Sequence, residues 1–97
     1  MYSIDKIDVA GKSFLGLKVS FPDIPPLLLV KGEKGFVMCG YLNYDAAEKL
    51  SAVAAIVSGV NSFDDVLNAT IKSSTTGAKA LGLEPGKTVK DVIGALA

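Results

Sequence analysis

Residues 13–21 alternate in polarity. Leu15, Leu17, Val19 and Phe21 fall on one face and Gly16, Lys18 and Ser20 on the other, which predicts a strand buried on its apolar side. Residues 2–10 carry Tyr2, Ile4, Ile7 and Val9 with looser alternation. Together the two segments predict a β-hairpin, with Gly11-Lys12 as a two-residue turn. Phe21-Pro22-Asp23-Ile24-Pro25-Pro26 holds too many prolines for a helix or central strand and predicts a loop. A second hairpin is predicted from residues 27–31 and 36–42 around Gly32-Glu33-Lys34-Gly35. Its strands are apolar on both faces, so cover is expected on both sides.

After Leu42 the period changes. Asn43 or Asp45 is placed to cap a helix over residues 44–53, with Ala47, Leu50 and Ala54 inward and Glu48 completing a capping box with Asp45. Residues 55–60 read as a short buried strand. Ser62 with Asp65 starts a helix whose inner face is Phe63, Val66 and Leu67. Residues 69–74 predict a strand, and residues 75–82 a helix closed by glycine. Thr88 and Asp91 open a last helix, in which Val89, Val92, Ile93 and Leu96 repeat at i, i+3, i+4 and i+7. The expected order is ββββαβαβαα. This is one α+β domain over residues 1–97, with two N-terminal antiparallel hairpins continuing into α/β units and helices packed on the sheet.

Composition narrows the chemistry. The 97 residues include ten Lys and no Arg against ten acidic residues, with no His, and 49% are hydrophobic. A neutral chain without Arg lacks the cationic surface that nucleic-acid binding requires. One Cys and no His leave no internal disulfide and none of the common zinc sets, so no metal or cofactor is expected. No apolar run is long enough to cross a membrane, and the polar start through Lys6 predicts no secretory leader. So apolar a small domain is expected to cover a patch with another copy of itself through a sheet face, making a homo-oligomer.

Few residues offer reactive groups. Cys39 is the only soft nucleophile, and Lys31 across the hairpin is the nearest activating cation that the pattern offers. With no His to assist it, a mid-strand Cys between Met38 and Gly40 reads first as a small buried hydrophobe. If a helix joins strand 36–42 to strand 55–60 by a right-handed crossover, those strands are parallel and their C-terminal ends share one edge. Tyr41, Asn43, Ser58, Gly59 and Asn61 then gather beside two helix starts, where a small anionic or polar ligand would sit. Helix and turn capping is the simpler use of Asn43, Asn61 and Ser62. Gly11-Lys12-Ser13 and Gly86-Lys87-Thr88 imitate a phosphate loop but fail its spacing, and both read as turns. Asp64-Asp65 fits the dipole of a helix's first turn.

The run Gly35-Phe36-Val37-Met38-Cys39-Gly40-Tyr41-Leu42-Asn43 carries a family resemblance. So do Ala47-Glu48-Lys49-Leu50, Ala55 to Val60, Phe63 and Leu67-Asn68-Ala69. From about Lys31 to the C-terminus the chain resembles the YunC-like family of small uncharacterised bacterial and archaeal proteins. The resemblance implies a compact α+β domain in the cytoplasm and brings no catalytic residues with it. Two functions follow as expectations. One is a self-associating module that binds a small ligand at the strand-end edge. The other is a thiol- or carboxylate-dependent enzyme built round Cys39 and Tyr41.

Overall fold

The alternating N-terminal segments form the expected hairpin, β1 (Tyr2–Val9) and β2 (Lys12–Phe21), in a computed structural model that describes residues 2–97. The turn is one residue earlier than the pattern predicts. Val9 pairs with Lys12, and Ala10 and Gly11 form the turn with φ of 51° and 83°. Positive φ at both central positions matches the right-handed twist of the flanking strands.

The proline segment is not a loop. Pro22-Asp23 makes a tight turn, and Pro25 and Pro26 lie inside β3 (Ile24–Lys31), which pairs with β2 across an irregularity at Val19/Phe21. Prolines are tolerated there because β4 (Phe36–Met38) pairs only with Leu29, Val30 and Lys31. The first half of β3 is therefore an edge on that side, where a missing N–H breaks no ladder bond.

The second hairpin strand is shorter than expected. Beyond Met38 the Cys39 N–H still donates to the Leu28 carbonyl at 3.0 Å, and the chain then turns, Leu42 N–H donating to the Cys39 carbonyl at 3.2 Å. Gly40 and Tyr41 are thus turn residues. The predicted crossover is present: α1 (Tyr44–Lys49) leads to β5 (Ala54–Ile56), which pairs parallel with β4. Then come α2 (Phe63–Asn68), β6 (Ser73–Ser74), α3 (Thr76–Ala80) and α4 (Val89–Val92), followed by a 3₁₀ turn, Ile93–Leu96. The six strands lie in the sheet in chain order, so the fold is α+β with the element order read from the pattern.

Three local readings are corrected. α1 ends earlier than residue 53, at Leu50 and Ser51 (φ 58°), and Leu50 is exposed rather than inward. Glu48 closes no capping box and instead accepts from Thr76 on α3. Thr88 precedes α4 without a side-chain capping bond.

The largest correction concerns which face is buried. Pairing registers place Phe14, Gly16, Leu28, Val30, Val37 and Ala55 on one face, and these are buried. Phe63 of α2 packs over Gly16, where an added Cβ would collide with Ile7 and Phe63. Val66, Val89, Ile93 and Leu96 complete this core. Leu15, Leu17 and Val19, the apolar set of β2, point the other way. They share the open face with Tyr2 and Ile4, and Tyr2 and Ile4 are 69% and 56% exposed. Among the described residues, no helix is long and apolar enough to cross a membrane.

Candidate functional site

The parallel pairing of β4 and β5 brings their C-terminal ends together. Val57 N–H donates to the Met38 carbonyl at 3.0 Å, and the two chains then diverge. The turn at residues 39–41 goes one way and residues 58–61 the other, through Gly59 at φ 71°, a conformation that suits glycine. A cleft of about 320 Å³ opens between them. Its walls are Cys39, Gly40 and Tyr41 on one side, Ser58 to Asn61 on the other, and Pro25 and Pro26 from β3.

Tyr41 is held in place. Its hydroxyl donates to the Pro25 carbonyl at 2.6 Å, and its ring meets Phe21 edge-on at 5.9 Å between centroids. The proline pair and the tyrosine thus form one wall. Pro25 and Pro26 bring apolar surface without amide hydrogens, so they add no donors to the wall.

Cys39 is 5% exposed. Its sulfur accepts the Leu28 N–H at 3.4 Å and approaches the Pro26 carbonyl at 3.9 Å. The residue belongs to the face that the helices cover. Lys31 sits on the opposite face, paired with Phe36, and does not approach the thiol. The cleft walls contain no Lys, Asp or Glu. A thiol so placed has no base or cation beside it and reads as part of an apolar cleft.

Of the five expected ligand residues, Tyr41, Ser58, Gly59 and Asn61 line the cleft. Asn43 does not. Its Oδ1 accepts the Ala46 N–H at 3.1 Å and caps α1. Ser62 caps α2 in the same way through Asp65 N–H, while the Asp65 carboxylate accepts the Asn61 N–H at 3.0 Å. Each helix start thus has one amide hydrogen taken by its own cap side chain, and the Asn61 N–H beside them is taken as well.

A second hollow, about 250 Å³, adjoins the first and shares Pro26 and Asn61 with it. Lys18, Ser20, Phe21 and Ile24 complete it. Sequence reasoning missed Lys18 and the proline pair. Lys18 lies on the same face as the buried Phe14 and Gly16, so the available signal was a single charge on a strand face with a large aromatic at one end. Among the described residues, no cluster of three or more His, Cys, Asp or Glu is placed to hold a metal ion.

The perturbed titratable groups lie elsewhere, where α1 meets α3. The Glu48 carboxyl is lowered, chiefly by the Thr76 backbone N–H, and the Tyr44 hydroxyl is raised, chiefly by its bond to Glu48. These contacts tie two helices together.

Comparison with known proteins bears on the same segment. The family model for DUF1805, described as a domain of unknown function, matches residues 38–96, which include the cleft residues 39–41 and 58–61 but not Pro25 or Pro26. The chain is 26% identical over 97 residues to the uncharacterized protein YunC of Bacillus subtilis (strain 168), covering 96% of this chain and 95% of that protein. It is also similar to a crystal structure of a protein of unknown function from Thermoplasma acidophilum, at 37% identity and a TM-score of 0.94. That similarity covers all of this chain and 94% of the other.

Proposed function

The chain belongs to the DUF1805 family, and from its own geometry we propose that it is a self-associating domain that binds a small organic ligand in the cleft at the ends of β4 and β5. One observation carries the ligand reading. Residues from three separate segments converge on a concave, mostly apolar surface with a few polar groups at its rim, which is the usual make-up of a small-molecule site. The alternative, an enzyme built on Cys39 and Tyr41, is weaker because no cleft residue is placed to take a proton from the thiol. We place the protein in the cytoplasm, where a lone thiol stays reduced.

The test is amide-resolved NMR during titration with octanoate. Shifts concentrated at residues 39–41 and 58–61 are expected. Binding that leaves those amides unmoved would contradict the reading.

Self-association rests on the open sheet face. Tyr2, Ile4 and Leu15 stand exposed beside Leu17 and Val19, and none of this chain's helices covers Tyr2 or Ile4. At the margin Lys6 and Asp8 lie 3.9 Å apart, so an identical face meets both signs of charge. The occupant proposed is a second copy of the chain.

A further inference from the structure

The two hollows differ in character. The larger is walled by Pro25, Pro26, Cys39 and Val60, whereas the smaller adds Lys18 and Ser20. Pro26 and Asn61 belong to both, so the two hollows adjoin along these residues.

Register fixes how the charge relates to the apolar end. Lys18 pairs with Leu28, and Leu28 meets Cys39 across the next strand. The three share a row on one face, and two strand spacings separate Lys18 from Cys39, about 10 Å between backbones. Lys18 is half-buried. Among the described residues, Lys6 with Asp8 is the only ion pair, so no carboxylate lies within salt-bridge distance of Lys18. An ammonium at the edge of a hollow, with no carboxylate beside it, is a ready partner for an anionic head.

We propose that the ligand is a small amphiphilic acid, its apolar body in the cleft beside Cys39 and its anionic head on Lys18 across the Pro26–Asn61 rim. This rests on the ligand-binding reading above and specifies the ligand's chemical class. A free molecule is meant, since the site is a recess and not a flat basic surface.

The experiment compares octanoate with octanol on the wild type, Lys18→Gln and Lys18→Arg, with dissociation constants read from amide shifts at residues 39–41 and 58–61. Wild type should bind octanoate about tenfold more tightly than octanol, the scale of one charge-assisted hydrogen bond. Lys18→Gln should abolish that preference and leave octanol within about twofold, while Lys18→Arg should retain it. Equal binding of both probes to the wild type, or an octanoate affinity unchanged in Lys18→Gln, would overturn the amphiphile proposal and leave the cleft reading standing. Failure of both probes to shift these amides removes the cleft reading itself. Vesicles of phosphatidylglycerol and phosphatidylcholine should not sediment the wild type. Sedimentation that Lys18→Gln prevents would assign the lysine to a membrane surface instead.

Discussion

Thr75 shows how one buried side chain can tie two elements and the connection before one of them. Its Oγ1 accepts the Ala54 N–H at 3.1 Å, donates to the Ala52 carbonyl at 2.6 Å and accepts the Ala78 N–H at 3.4 Å, so it joins the start of β5 to the first turn of α3. Thr75→Val keeps the shape and removes every one of these bonds inside a closed core. A loss of about 2 kcal/mol in denaturant unfolding is expected, with the m-value unchanged. Cys39 makes the contrasting case, a residue with reactive chemistry held in an unreactive setting. With the sulfur occupied by Leu28 N–H and 5% of the residue exposed, native protein should react with a thiol reagent far more slowly than unfolded protein. A native rate above that of free cysteine would instead mark an activated thiolate and restore the enzyme reading.

Between elements, the contact of α1 with α3 runs through Glu48. Ionised Glu48 accepts from Thr76 and Tyr44, and the folded state therefore binds its proton less readily than the unfolded state. The resulting stabilisation is complete above the ordinary carboxylate value of 4.5 and is lost as pH falls through the lowered folded value. Wild type should lose stability more steeply than Glu48→Gln as the solution is acidified below 4.5. Parallel acid limbs in the two proteins would show that the contact adds nothing.

Element order was legible from the sequence because polarity period and capping residues are local signals. Asn43 and Ser62 do cap helices, and the crossover between β4 and β5 is present as read. Element lengths were less legible. Strand 36–42 and helix 44–53 both end early, because local turns close there, Leu42 N–H on the Cys39 carbonyl and Ala52 N–H on the Ala47 carbonyl, while the composition still permits the element to continue. The buried face of β2 was misread for a related reason. Alternation shows that a strand has two faces, but the helices decide which is covered, and Gly16 beneath Phe63 marks that side. Four cleft residues were readable once the strands were taken as parallel. Lys18, Pro25 and Pro26 were not, because their place depends on long-range register.

For the whole molecule, the inverted polarity of β2 has a consequence. Helices cover the side of the sheet that holds Phe14, Leu28 and Val37, β5 is buried on both sides, and on the other side of β1 and β2 a row of large apolar side chains stays open. Ile4→Lys adds charge at an exposed position, so the fold should survive and assembly should not. Light scattering at micromolar concentration should give a multiple of 10.0 kDa for the wild type and the protomer mass for the variant. A wild-type protomer mass would remove the second copy from the account.

Native mass spectrometry of the protein purified from its own host tests assembly and ligand together. The predicted spectrum is an oligomer of the 10.0 kDa chain carrying a small organic adduct, which is lost in Ser58→Trp, where an indole replaces a cleft-wall hydroxyl. A bare 10.0 kDa monomer would contradict the account on both points.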